Sequence, residues 1–252
     1  MSAHRVLPIL GQFAPPGANP LRYQVPAAVP QAPHALQLYY DALFRAYGPQ
    51  HWWPGRTRFE VIVGAILTQN TSWTNVERAI RNLRRQKLLS PIAVERVSPA
   101  RLARLIRSSG YFRQKARKLK AFVRFLRAAH QGSLTKMFRA STAVLREQLL
   151  AVHGIGPETA DSILLYAGKH PVFVVDAYTR RILERHHLAH GKHSYEEVRA
   201  LFEHNLPLSA SLFNEYHGLI VRTGKDFCRS LAPLCENCPL KPFLPLSPEA
   251  AP

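Results

Sequence analysis

Between Leu149 and Arg181 the chain reads LLAVHGIGPETADSILLYAGKHPVFVVDAYTRR, an order that confines it to two helices joined by a tight hairpin and followed by a shielded acid. An apolar-periodic segment ends near Val152, and the turn runs through His153, Gly154, Ile155, Gly156 and Pro157. Proline pre-sets the first turn of a second helix, expected from about Pro157 to Ala167, with Thr159 and Ala160 at good helical positions. The two glycines allow positive φ and the close approach of a neighbour, since neither has a Cβ. Free N–H groups at the head of that helix, at the positive end of its dipole, suit an anion such as a phosphate. Asp176 then follows the apolar run Val172-Phe173-Val174-Val175. A carboxylate shielded in this way is a candidate functional acid rather than a solvated one.

The formal net charge of +18 over 252 residues points to a polyanionic partner. From Arg96 to Arg146 there is no Asp or Glu against 14 Lys and Arg, more than solubility alone explains. No run of about 18 apolar residues is present to cross a bilayer, so nucleic acid is favoured over membrane. The opening MSAHRVLPILGQFAPPG has a short apolar patch broken by Pro8 and no convincing cleavage site. No secretion signal is therefore expected, and a bacterial chain of this kind would act in the cytoplasm on the nucleoid, as a monomer. Three cysteines, all between Cys228 and Cys238, argue against a secreted disulfide framework.

Residues 1–33 are rich in Pro, Ala and Gln and read as a loosely docked arm. A first amphipathic helix is expected at 34–47, with Leu36, Leu38, Tyr39, Leu43 and Phe44 at helical spacing. The cluster His51-Trp52-Trp53-Pro54-Gly55 reads first as a packed aromatic corner. Residues 57–70 form a nearly all-apolar helix that turns polar at Thr68-Gln69-Asn70-Thr71. Helices follow at 73–87, with Arg78, Arg81, Arg84 and Arg85 on its polar side, at 98–108 with Ser98 as cap, and from Gly110 to about Ala129. After Asp176 come helices in AYTRRILERHHL, at 194–204 and at 208–223. No segment has strand periodicity. The expected fold is all-α, with a main domain at 34–224 and a cysteine-bearing tail at 225–252.

The hairpin VHGIG, with Asp176 in the context VVDAY at a fixed distance beyond it, resembles the helix-hairpin-helix DNA glycosylases of the endonuclease III superfamily. There the hairpin LPGVG grips DNA phosphates and the acid of a V-D-[TA] segment is catalytic. The resemblance implies a two-lobed helical fold with the active cleft between lobes and double-stranded DNA bearing a damaged base as partner. It makes Asp176 the catalytic acid and His153, Gly154, Ile155, Gly156 and Thr159 the phosphate grip. The match runs from about residue 50 to 220. HWWP, then GAILTQNT, SGYFRQKA and GIGPETADSIL are similar to the 3-methyladenine branch in particular. By position the family's base-clasping aromatics fall on Trp52 and Trp73, and the glutamine that fills the gap left by an extruded nucleotide falls on Gln69. Trp52 as a packing residue and Asn70 with Thr71 as simple helix caps remain the plain alternatives. Family members that also cut the backbone carry Lys where this chain has Glu158. At the head of a helix that acid also has a favourable dipole role of its own.

Cys228-x6-Cys235-x2-Cys238 reproduces three positions of the superfamily's iron–sulfur loop, C-x6-C-x2-C-x5-C, and the fourth falls on Leu244, which cannot ligate iron. Two outcomes are open: a [4Fe–4S] cluster on three of four cysteines with an outside ligand, or a relic loop, its cysteines reduced or weakly binding zinc. The relic is the favoured one.

The resulting expectation is a monofunctional glycosylase that flips an alkylated purine and hydrolyses it off to leave an abasic site. Its rivals are an endonuclease III-like glycosylase and lyase on oxidised pyrimidines, a mismatch glycosylase, and a non-catalytic hairpin DNA binder. Glu158 cannot form an imine with C1′ of the sugar. Borohydride should therefore trap no covalent complex between the protein and lesion DNA on a denaturing gel. A trapped adduct would show that another amine is the nucleophile and revive the lyase reading.

Overall fold

The computed structural model describes residues 32–245. Most of the arm expected at 1–33, and the tail beyond 245, lie outside them. The helices are α1 (Ala32–Tyr47), α2 (Arg58–Leu67), α3 (Trp73–Arg85), α4 (Pro91–Arg96), α5 (Pro99–Leu105), α6 (Phe112–His130), α7 (Leu134–Met137), α8 (Thr142–Leu150), α9 (Pro157–Ser162), α10 (Ala177–Arg185), α11 (Tyr195–Asn205) and α12 (Ala210–Asp226). No strand occurs among the described residues, so the all-α expectation stands. Local chemistry sets the starts. Thr57, Ser90, Ser98, Ser133, Ser141, Asp176, Ser194 and Ser209 each accept the amide three residues on. This satisfies one otherwise orphaned donor at the head of each helix.

Two lobes result. Helices α2 to α9 form one, with α5 and α4 packed on α6 and α8 packed on α9. In the other, α1 returns from the start of the chain to pack on α11 and α12, and α10 packs on α12. The lobes meet where α2 and α12 both pack on residues Ile163–Gly168, the π-helical continuation of α9. Helix α2 is the central rod, buried from Phe59 to Leu67. The second lobe closes around Phe173, whose ring stacks on Phe202 at 3.7 Å and meets Phe213 edge-on at 5.5 Å.

Three expected boundaries shift for physical reasons. The helix expected at 57–70 stops at Leu67, because the Thr68 hydroxyl folds back to donate to the Gly64 carbonyl at 2.6 Å and Asn70 turns left-handed at φ 51°. The 98–108 helix divides into α5 and a 3-10 turn, Arg107–Ser109. The second hairpin helix does not stay α-helical to Ala167; it widens after Ser162 into π turns that reach Gly168. Short helices α4 and α7 were not expected from periodicity, being too short to show any.

One buried lysine joins three of these pieces. Lys115, 2% exposed, donates to the Leu67 carbonyl at 3.0 Å and to the Ser109 carbonyl at 2.5 Å, closing the end of α2 against the start of α6. Burial first, and then Lys118, bring its ammonium down to about 8. The folded value thus lies below the unfolded one, so the unfolded chain binds this proton more tightly, and stability rises with pH from about 8 upward. Lys115→Met should cost about 1–3 kcal/mol in chemical denaturation, since two buried carbonyls lose their donor. The gap between native protein and variant should widen between about pH 8 and 10. A gap that narrows over that range would show the ammonium to be stabilised where it sits.

Candidate active site

Asp176 caps α10 at the bottom of the cleft. Its Oδ1 accepts from the Thr179 amide at 2.8 Å and the Thr179 hydroxyl at 3.0 Å, and its side chain is 15% exposed. Its Oδ2 faces His217 Nε2 across 3.5 Å. His217 rises from the buried face of α12, and its Nδ1 lies 2.6 Å from the Tyr166 hydroxyl in the π-helical segment. Burial pushes the Asp176 carboxyl up, but the adjacent His217 and the Thr179 donors outweigh it and hold the group below the ordinary carboxylate range. Asp176 is therefore an anion at neutral pH with one oxygen still facing the cavity.

The cavity above it is lined by Trp52, Trp53, Trp73, Glu158, Tyr178 and His217, with Asp176 in its wall. The Trp52 loop reaches this place because α12 holds it. Asn214 donates to the Trp52 carbonyl, Glu215 accepts from the Gln50 amide, and Gly218 leaves room for the indole, since a Cβ there would lie 2.9 Å from that of Trp52. Trp52 and Trp73 thus share one cavity, as their positions predict, but they do not form a simple pair. Trp53 sits edge-on to both, with centroids 5.6 Å from Trp52 and 5.1 Å from Trp73, and stacks on Tyr166 at 4.8 Å. Trp53 packs as the corner of the cluster, and all three indoles line the cavity.

Glu158 stands in the first turn of α9 at the mouth of the cavity and is exposed. Desolvation by the surrounding walls raises its carboxyl above the usual value, Asp176 adds to this, and His217 opposes it. The two acids are driven apart in affinity for protons, Asp176 downward and Glu158 upward.

The hairpin forms the neighbouring groove, which also reaches Asp176. Gly154 takes φ 82°, and a Cβ there would lie 2.5 Å from Lys118 Cγ, so this position needs glycine twice over. Gly156 does not share that need; at φ −93° and ψ 178° it is extended backbone that any residue adopts, a correction to the expectation of two positive-φ glycines. Ile155 turns inward, 4% exposed, and its amide is taken by the Val152 carbonyl at 3.0 Å. The side chain of His153 is exposed, whereas Thr159 is buried. The amides of Gly154, Gly156, Glu158 and Thr159 have no acceptor among the described residues and are the donors an anion would meet.

Gln69 is not free in the cleft. Its Nε2 donates to the Gly154 carbonyl at 3.1 Å and to Thr159 Oγ1 at 2.9 Å, and its Oε1 accepts from Lys118 Nζ. In the free protein this side chain is clasped to the hairpin.

Sequence reasoning missed His217, Tyr166, Trp53, Tyr178 and Lys118. Of these His217 left a trace, as a lone histidine in the otherwise non-charged stretch Tyr216–Val221; the others look like ordinary core or surface residues. In the tail, Cys228, Cys235 and Cys238 line a second, apolar cavity together with Leu244, so the position that lacks its cysteine is occupied by a hydrocarbon wall. No three ligand-type side chains among the described residues converge as a single metal ion requires.

Residues 63–208 match the model of the HhH-GPD superfamily base excision DNA repair protein. A putative DNA repair glycosylase of Methanocaldococcus jannaschii is 48% identical over 206 residues, covering 81% of this chain and 93% of that one. Endonuclease III of Thermotoga maritima is 30% identical over 183 residues, covering 73% of this chain and 80% of the relative. Among solved structures, the H. pylori 3-methyladenine DNA glycosylase bound to 1,N6-ethenoadenine superposes with a TM-score of 0.68 at 29% identity, covering 80% of this chain and all of that one. A trapped endonuclease III–DNA covalent intermediate superposes with a TM-score of 0.73 at 22% identity, covering 84% and 95%, and shares the fold. With more than half its length matched and its hairpin, acid and cleft in place, this chain belongs to the HhH-GPD superfamily of base excision DNA repair glycosylases.

Proposed function

We propose that this DNA glycosylase is monofunctional and removes alkylated purines of the 3-methyladenine kind from duplex DNA, leaving an abasic site. The observation that carries this is the joining of an indole-walled cavity to an acid held ionised at its base, with Glu158 where a lyase needs an amine. An N-alkylated purine carries positive charge, and an indole face attracts a cation by about 0.5–2 kcal/mol. Such a base is also a good leaving group and departs neutral. The Asp176 carboxylate then faces positive charge developing at C1′ and orients the water that replaces the base. Water adds its oxygen to C1′ as the C1′–N bond breaks, and its proton passes to Asp176 and on to solvent. The likeness to the H. pylori 3-methyladenine enzyme supports this choice of substrate.

The free amides of the hairpin would hold phosphates beside the flipped nucleotide, and the basic α5–α6 surface would supply the long-range attraction. Gln69 would fill the vacated space after release from Gly154, Thr159 and Lys118. The second reading, oxidised pyrimidines, draws on the endonuclease III relative, and Glu158 counts against the lyase half of it.

A lesion panel decides between them: duplexes with single 3-methyladenine, 7-methylguanine, hypoxanthine, thymine glycol or G·T sites, with and without alkali. Cleavage at the alkylated purines that depends on alkali is expected. Alkali-independent cleavage at thymine glycol would overturn the proposal.

Asp176→Asn should slow excision at least about a hundredfold. Duplex affinity should hold or improve, because one negative charge near phosphates is removed. Full single-turnover excision by the variant would remove Asp176 from the chemistry. Trp52→Ala and Trp73→Ala should each slow excision about tenfold to a hundredfold, the worth of about 1–3 kcal/mol of base stacking. Binding to abasic-site DNA, which has no base to clasp, should change little. Parallel loss of both would mark the two indoles as packing residues.

A further inference from the structure

Thr179 engages only Oδ1 of Asp176, and Oδ2 looks across 3.5 Å at His217 Nε2. That nitrogen belongs to a residue 3% exposed, and it makes no hydrogen bond among the described residues. A buried polar nitrogen without a partner is costly unless a partner arrives in the working complex. The other ring nitrogen fixes what Nε2 presents. Nδ1 lies 2.6 Å from the Tyr166 hydroxyl, whose proton has no other acceptor among the described residues. In a neutral imidazole one nitrogen donates and the other accepts. If the tyrosine donates to Nδ1, Nε2 carries the ring proton and points it at the carboxylate. If Nδ1–H donates instead, the tyrosine proton is orphaned and the Nε2 lone pair faces an anion. The first arrangement satisfies both contacts, and the second spoils both. Tyr166 is itself locked in place, buried with its ring stacked on Trp53 at 4.8 Å.

Hydrogen bonds that act in catalysis are often long in a free enzyme and tighten in the reacting complex. We propose that Tyr166 and His217 are positioning residues for Asp176: the Tyr166 hydroxyl keeps the His217 proton on Nε2, and Nε2–H closes onto Asp176 Oδ2 when lesion DNA is engaged. His217 then fixes the orientation of the carboxylate and offsets the burial that would otherwise protonate it. Tyr166 does not line the cavity and acts only through the imidazole. The inference rests on Asp176 as the active acid and is independent of which base leaves. The other titratable groups around the pair are Glu158, Tyr178 and Lys225 in the cavity, with Lys118 and Tyr195 in the adjoining groove. All five are unchanged in the variants below, so their titrations are common to every profile.

Two measurements on the full chain test it. With isotope-labelled histidine, long-range proton–nitrogen magnetic resonance spectra of the free protein report the tautomer, His217 being assigned by its loss in His217→Gln. Native His217 should carry its proton on Nε2, whatever base the enzyme removes. Single-turnover excision of 3-methyladenine from a duplex is then followed from about pH 5 to 9, a range that starts above the ordinary carboxylate value. Burial raises the Asp176 carboxyl and His217 lowers it, so removing the donor moves the acid limb of the profile upward. The shift should be at least about one pH unit in His217→Ala and part of that in Tyr166→Phe. The deficit of each variant should therefore grow as pH falls. His217→Gln, which keeps an N–H donor near the place of Nε2, should recover most of the rate lost in His217→Ala. Should His217→Ala fail to fold in circular dichroism melts, Tyr166→Phe, which removes one oxygen, replaces it. A native ring protonated on Nδ1 alone would overturn the proposal. So would variants that excise as the native chain does, or that lose the same factor at every pH. A native chain that excises no alkylated purine would overturn the substrate reading instead, and the tautomer measurement then decides this one.

Discussion

The bidentate pair of Arg146 with Asp161 holds the hairpin together. Arg146 Nε reaches Asp161 Oδ1 at 2.7 Å and Nη2 reaches Oδ2 at 3.2 Å, spanning from α8 to α9 across the turn, with Asp161 fully buried. The same guanidinium reaches Glu196 on α11 at 2.7 Å, so the grip extends into the other lobe. Arg199 continues it to Glu203, whose carboxylate accepts from the Phe173 amide at 2.9 Å. That amide lies within the apolar run Val172–Val175, whose last residue precedes Asp176. One chain of charges thus sets the hairpin, the lobe junction and the approach to Asp176. Removing one partner from such a buried pair costs about 3–5 kcal/mol, because the other is left charged and unpaired.

The charge state of Asp176 is a second consequence of lobe assembly. Val172 to Val175 bury the approach, which alone would favour the neutral acid. Thr179, by closing α10 against the same carboxylate, and His217, brought by α12, reverse the sign. The Tyr166 hydroxyl holds the imidazole from behind, and it is positioned by the π-helical widening of α9. A widened turn of this sort often marks a functional position in a helix. Here it turns a tyrosine of the first lobe towards a histidine of the second.

The clasp on Gln69 gives the free protein a closed hairpin surface. Lys118 packs over Gly154 and holds Gln69 Oε1, while Gln69 Nε2 satisfies the Gly154 carbonyl and the Thr159 hydroxyl. One lysine side chain thus touches both the hairpin glycine and the glutamine clasped to it.

Much of this was legible in the sequence, for reasons that are local. Capping residues and 3.6-residue periodicity specify helices wherever a helix is long enough to repeat, which is why α1, α2, α3, α6, α11 and α12 were expected close to where they lie. Gly154, the acid at 176 and the acid-free basic stretch are one-dimensional facts, and with them come the tight turn and the expectation of a polyanionic partner. Tertiary structure decided what depends on residues far apart in the chain. Lys115 donates to the last carbonyl of α2 from 48 residues away, Trp53 enters between Trp52 and Trp73, and Gln69 bonds to residues 85 and 90 positions on. His217 reaches Asp176 because α12 packs on α10. The sequence determined which groups are available; which of them meet, and with which proton affinities, was decided by the packing of one lobe against the other, because desolvation and Coulomb interaction act through space and not along the chain.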